Sequence, residues 1–255
     1  MASGGDRVDE ERGNGVGGFL KETAIVVVGA LIASTLLRLF LVQVFLIPSG
    51  SMESTLNIND RVAVQKVTPF QRGDVVVFRD DLEWLGNPDR FAHEPWQDAL
   101  IFLGLMPDPS AGHLIKRVIG TAGDRVVCCD VDGRITVNGA ALDETAYLYT
   151  DDAGVQNAPS LYPFDVVVPA GRIFVMGDHR EASADSRCHL SENALGVTNL
   201  GGFPSRDSVV GVAAVTLFPF ERWRTFSTPT VFGGIPAPAS PAPERPVITG
   251  ELPPC

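Results

Sequence analysis

Two hydrophobic patterns divide the chain. From Thr23 to Leu37 the residues TAIVVVGALIASTLL carry no charge, and after Arg38 a second apolar run, LFLVQVFLI, continues to Ile47. A membrane-spanning helix needs about 20 mainly apolar residues. Thr23–Val42 supplies that length once Arg38, near its end, extends its head group to the interface. A buried core helix is rarely apolar around its whole circumference. A cleavable signal peptide has an apolar stretch of about 7–15 residues behind a short basic leader. Residues 1–22 instead mix Arg7, Arg12 and Lys21 with Asp6, Asp9, Glu10, Glu11 and Glu22. The pattern therefore predicts an uncleaved anchor over residues 23–46. Basic residues ahead of a span favour a cytoplasmic N-terminus. That makes 1–22 a cytoplasmic leader and places everything after Ile47 outside, in a single-pass protein of the cytoplasmic membrane.

Beyond Ile47 the apolar runs become short and β-branched: Arg61–Val67, Asp74–Phe78, Leu114–Ile119, Arg125–Cys129, Arg134–Val137, Phe164–Val168, Ile173–Met176 and Val209–Leu217. Turn signals such as Arg72-Gly73-Asp74, Gly123-Asp124 and Asp132-Gly133 bound them, the last marking a hairpin. The expected fold is mainly β: an antiparallel sandwich or partly closed barrel over 47–225, behind the transmembrane helix. Two stretches read as loop insertions, about 80–112, with a short helix near Pro95–Leu105, and about 139–163. Residues 226–255 hold eight of the 19 prolines and read as a disordered tail.

Composition narrows the classes. Lys+Arg 20 against Asp+Glu 31 gives a net charge of −11, which disfavours nucleic acid as a partner. Gly 26 and Pro 19 disfavour a helical bundle. Cys128, Cys129, Cys188 and Cys255 match no zinc spacing. An exported domain permits a disulfide from the Cys128–Cys129 pair to Cys188; buried free thiols are the other reading.

Three segments could hold chemistry. In IPSGSMESTL, Ile47–Leu56, Ser49 and Ser51 are two apart, so an extended chain projects both hydroxyls to one side. Gly50 between them lets the backbone approach a ligand, although a Ser/Gly turn is usually only a turn. A serine nucleophile needs a base, and no GxSxG elbow accompanies His93, His113, His179 or His189. Lys116, in HLIKRVIG, offers another base. Its amine is protonated at neutral pH unless apolar burial lowers its pKa. Most lysines in strands simply extend to solvent, and Arg117 stays charged. The third segment, MGDHREASADSR (Met176–Arg187), gathers Ser183, Asp185 and Arg187 behind an apolar strand. Ser183 could position a lysine amine there, or Asp185 could pair with Arg187. Its acids lack calcium-loop spacing, so no metal is expected.

Jointly these segments resemble the type I signal peptidases, membrane-bound serine proteases that remove signal peptides from exported proteins. The resemblance rests on PSGSM (Pro48–Met52), DRVAVQK (Asp60–Lys66), RGDVVVF (Arg72–Phe78), IKRVIG (Ile115–Gly120) with Gly123-Asp124, and GDHREASADSR (Gly177–Arg187), in the family's order. It implies Ser51 as nucleophile and Lys116 as general base. Ser49 and the Ser51 N–H would form the oxyanion hole. Ser183, Asp185 and Arg187 would support the dyad, and Ile47, Met52, Leu56 and Ile115 would line substrate pockets for small side chains. It implies no cofactor, cleavage after small-x-small, and preproteins, membrane lipid and the export translocon as partners. The chain departs from the pattern at Glu53-Ser54, at Gly120-Thr121-Ala122-Gly123-Asp124, which lacks the usual proline, and at His179 and Glu181-Ala182 in place of Asn and Asp-Asn. His179 reads as a tolerated loop variant. Only four residues lead from Ile47 to Ser51, at most about 14 Å, which holds the serine at the membrane surface. Two other readings are a self-cleaving Ser/Lys protease of the repressor type, disfavoured by the anchor, and an inactive tethered β domain that binds exported proteins.

Overall fold

The branched, uncharged residues Thr23–Leu37 lie within one long helix, α1 (Gly13–Phe40), where every backbone polar group is satisfied internally, as a lipid environment demands. The computed structural model describes residues 13–86 and 112–250; residues 1–12, the expected helix near Pro95–Leu105, Cys255 and the side chain of Arg38 lie outside its description. Among the described residues, α1 is the one helix long and apolar enough to cross a membrane, and the protein buries none of that stretch. The helix ends earlier than the apolar run suggests. The chain leaves the helix at Phe40, and Val42–Leu46 forms strand β1, paired antiparallel with β2 (Arg61–Gln65). Val42, Val44 and Phe45 suit a pleated ladder, and a partner strand is available. One continuous apolar run thus serves two elements.

Eleven further strands follow the expected pattern and extend it: β2, β3 (Val75–Arg79), β4 (His113–Thr121), β5 (Arg125–Cys128), β6 (Thr136–Val137), β7 (Ala140–Ala141), β8 (Phe164–Val167), β9 (Ile173–Met176), β10 (Val209–Phe218), β11 (Arg224–Thr225) and β12 (Val247–Ile248). They make two antiparallel sheets among the described residues. One runs β1-β2-β10-β3-β4-β9, with β11 on β10, and the other β12-β8-β5-β6-β7; neither closes into a barrel. A shared core joins them: Ile119, Phe174 and Met176 of the first sheet pack with Val126, Val137, Phe164 and Val166 of the second. A second cluster, of Phe45, Val62, Val64, Val75 and Val77, fills the space beneath the segment that follows β1.

Two expectations need correction. Residues 226–250 are not a disordered tail. Phe226 N–H donates to Ala214 C=O (2.9 Å), Ala170 N–H donates to Pro243 C=O (2.8 Å), and β12 pairs with β8. Phe232 is buried in the shared core, with Val231, Ile235 and Ile248 packed against it. Prolines cannot donate, but their carbonyls accept, and the sparse apolar residues between them supply the burial. The 139–163 stretch is mostly irregular chain apart from β7, and Leu142, Glu144, Tyr147 and Leu148 within it are all buried. Lastly, Cys128 and Cys129 are bonded to each other rather than to Cys188, which is itself disulfide-bonded.

Candidate active site

Ser51 sits in a series of turns between β1 and β2 whose base is closed by two backbone bonds, Ile47 N–H to Asp60 C=O and Asn59 N–H to Ile47 C=O, each 2.9 Å. Inside that base Met52 C=O accepts from both Thr55 and Leu56. Met52 and Leu56 are fully buried in the second core cluster with Ile47 and Ile115. Apolar residues thus pin the turn to the sheet from below while the serine faces up. Asp60 accepts from Asn57 N–H (2.9 Å) and from Arg222 Nε (2.7 Å), and Arg224 donates to Ser54 C=O (2.9 Å). Residues just past β10 therefore brace the same turn.

Strand β4 delivers Lys116. It is flanked by β3 and β9, with Val76 opposite Lys116, and Val75 and Met176 opposite Arg117. Lys116 Nζ lies 2.5 Å from Ser51 Oγ, and the two residues are only 3% and 6% exposed. Burial pushes the amine down from 10.5 to about 8. The nearby Asp185 and Asp178 carboxylates pull it back up, and Arg187 lowers it again. Desolvation wins because an ammonium ion loses its hydration shell there without gaining a direct ion pair. A substantial fraction of the amine is neutral near pH 8, and neutral amine is what can accept the Ser51 proton.

Strand β9 ends at Met176 and launches the loop that closes the site. Gly177 permits the approach, because a Cβ there would lie 2.3 Å from Ser183 Oγ and 2.4 Å from Ser51 C=O. His179 N–H then donates to Ser51 C=O (3.1 Å). Asp185 is fully buried and accepts from Gly177 N–H, Arg187 Nε and Arg187 Nη2, each at 2.9 Å. Although burial alone would raise its pKa, the Arg187 guanidinium and these bonds hold it below the ordinary carboxylate value. Arg187 also donates to Arg180 C=O (2.8 Å), fixing the loop to itself.

The expected site residues divide into two groups. Ser51, Lys116, Asp185 and Arg187 come together as expected. Ser183 Oγ is buried beside the site but completes no hydrogen bond, although it lies close enough to Asp185 to favour the charged carboxylate. Ser49 is exposed. Ile47, Met52, Leu56 and Ile115 lie inside a packed cluster, none more than 7% exposed, so they support the Ser51 turn from within.

Two buried ion pairs went unrecognised in the sequence. Arg117 grips Asp178 with two bonds, Nε to Oδ1 at 2.8 Å and Nη2 to Oδ2 at 2.5 Å, and also donates to Gly73 C=O. Thr55 Oγ1 donates to the same carboxylate (2.5 Å), so this pair ties the Ser51 turn to β4 and to the loop. Arg180 pairs with Glu144 (2.5 Å), which also accepts from Tyr147 OH (2.7 Å). The Tyr147 ring lies 4.1 Å from the Arg117 guanidinium. Arg117 was findable: a charge inside an apolar strand needs a partner, and Asp178 follows the adjacent strand directly. Glu144 and Tyr147 lie in an aperiodic stretch that carries no such signal.

A family model described as "Signal peptidase, peptidase S26" matches residues 20–218. Signal peptidase I of Mycobacterium tuberculosis (strain ATCC 25618 / H37Rv) is 37% identical over 224 residues, covering 80% of this chain and 74% of that protein. The probable signal peptidase I of Mycobacterium leprae (strain TN) is 37% identical over 229 residues, covering 80% of this chain and 78% of that one. A crystal structure of a signal peptidase I from Enterococcus faecalis V583 is matched with a TM-score of 0.31 and 24% identity, over 58% of this chain and 99% of that one.

Proposed function

The chain belongs to the signal peptidase family S26 and is a serine endopeptidase, and from that premise we propose that it removes signal peptides from exported preproteins through Ser51 and Lys116. The neutral Lys116 amine accepts the Ser51 proton as Oγ attacks the scissile carbonyl. The Ser51 N–H and the Ser49 hydroxyl donate to the resulting oxyanion. The Lys116 ammonium then passes its proton to the departing amine of the mature protein, leaving the signal peptide esterified to Ser51. Water, deprotonated by the same amine, releases it. Asp185, fixed by Arg187, acts on the buried amine through its charge, the Ser183 hydroxyl beside the site would orient the lysine, and recognition falls on small-x-small before the cut. The exposed side of α1 supports a lipid-embedded anchor with residues 1–22 in the cytoplasm and the sheets outside, where a preprotein leaves the export translocon.

The observation that carries this reading is the 2.5 Å contact between a buried amine and the Ser51 hydroxyl. The test uses full-length protein in detergent with a preprotein. Ser51→Ala and Lys116→Ala should abolish cleavage. Lys116→Arg should be nearly as inactive, because a guanidinium keeps its proton. Unchanged cleavage in the first two variants overturns the mechanism.

A further inference from the structure

His179 and Glu53 occupy two of the positions where this chain departs from the family pattern, and the fold brings them together. The imidazole Nδ1 of His179 lies 2.9 Å from Glu53 Oε2, with the two side chains 16% and 29% exposed. The ring stacks on Tyr149 at 3.8 Å between centroids and 15° between planes. Tyr149 is itself fixed, since its N–H donates to Asp178 C=O (3.1 Å). On the other side, Glu53 N–H donates to Gly50 C=O (3.0 Å), and the carboxylate lies over Gly50, where an added Cβ would meet it at 2.9 Å. The main chain of His179 meanwhile holds Ser51 C=O. One residue thus grips the nucleophile's turn at two points, one through its backbone and one through its ring.

We propose that His179 and Glu53 act as a latch that positions the Ser51 turn for attack. This rests on reading Ser51 as the nucleophile. The latch acts in two ways. It fixes the Gly50–Ser51 backbone whose N–H must face the oxyanion, and misplacement of such a donor costs rate rather than binding. By donating a ring N–H to the carboxylate, His179 also offsets the negative charge that Glu53 holds over Gly50, which would otherwise oppose the oxyanion. Both are positioning residues, because neither reaches the reacting atoms.

The test measures kcat and KM for preprotein cleavage by full-length variants, with thermal melting to follow the fold. His179→Ala should lower kcat about tenfold with KM within about twofold, the signature of an interaction that matters in the transition state. Glu53→Ala should fall similarly, and the double variant should be no worse than His179→Ala, because the two act as a unit. Glu53→Gln should keep most of the activity, since its amide oxygen still accepts from the ring and no charge remains over Gly50. Wild-type kcat in His179→Ala overturns the latch. So do losses that multiply in the double variant, a change confined to KM, or Glu53→Gln as impaired as Glu53→Ala. If these variants melt early yet Glu53→Gln restores neither melting nor kcat, the latch also falls. Ser51→Ala in the same assay separates the two ideas: residual cleavage there overturns the nucleophile itself, whereas a dead Ser51→Ala beside a fully active His179→Ala overturns only the latch.

Discussion

A lysine in contact with a serine hydroxyl is useful only when it is uncharged, and its environment decides when that is. Burial lowers Lys116 to about 8 while Asp185 pulls upward. The rate of cleavage, kcat/KM, should therefore rise with pH along a single-proton limb centred near 8 and level off above it. Asp185→Asn removes the upward pull and leaves Arg187 unpaired, and both changes lower the amine further. The limb should move to lower pH even as the plateau falls, because the loop loses its brace. A limb that stays put or moves upward in a pH–rate profile would refute this electrostatic account. The same shift links to stability. The amine's value in the fold lies below its ordinary 10.5, so the unfolded chain binds more protons between about 8 and 10.5, and the fold gains stability as pH rises through that window. Glu53 and His179 were visible in the sequence only as departures. Their partnership spans 126 positions, and no local spacing encodes such a meeting.

At the scale of elements, local pattern served the central strands well and failed where packing is borrowed from afar. Ile173–Met176 is a strand with the bounds its residues suggest, because four consecutive apolar side chains need burial on both faces. Val42–Leu46 reads as membrane helix on hydropathy alone; only the register with Arg61–Gln65 makes it a strand. The proline-rich segment failed for the opposite reason, since its composition suggests disorder while a few well-spaced apolar residues anchor it. Phe232 packs against Gly73, whose φ of +87° and lack of a side chain admit the ring: a Cβ there would lie 2.5 Å from it. Gly73 C=O in turn accepts from Arg117, which holds Asp178. The proline-rich segment is therefore joined through Gly73 to the Arg117–Asp178 pair beneath the Ser51 turn. Phe232→Ala should destabilise the protein by about 3–5 kcal/mol, as for other buried phenylalanines, read as a lower urea midpoint by tryptophan fluorescence. Removing residues 226–255 should lower the midpoint further. An unchanged midpoint in both would return these residues to the status of a loose tail.

For the whole molecule, the question is what the helix contributes to an enzyme whose site is assembled from the sheets and the loops between their strands. No catalytic contact involves α1 among the described residues; the Ser51 turn is closed by β1, β2 and the loop after β9. As a tether, the helix would instead fix where the site works. Ser51 follows β1, and β1 begins two residues after Phe40 ends α1, so helix and proposed nucleophile share one short length of chain. If α1 lies in the bilayer, every membrane-bound preprotein meets a nucleophile tethered in its own plane. A short tether of that kind gives an effective concentration on the order of millimolar. Deleting residues 1–40 while keeping β1 should therefore separate two rates. Cleavage of a short soluble peptide ending its signal part in small-x-small should stay near that of the full chain, because β1 still pairs with β2. Cleavage of a preprotein embedded in lipid vesicles should fall steeply at the same enzyme concentration and recover only as far more enzyme is added. Equal losses on both substrates would mean that α1 supports the fold of the site, and equal retention would mean that the sheets find the membrane without it. Only the split between the two assays fits a helix that acts as a tether.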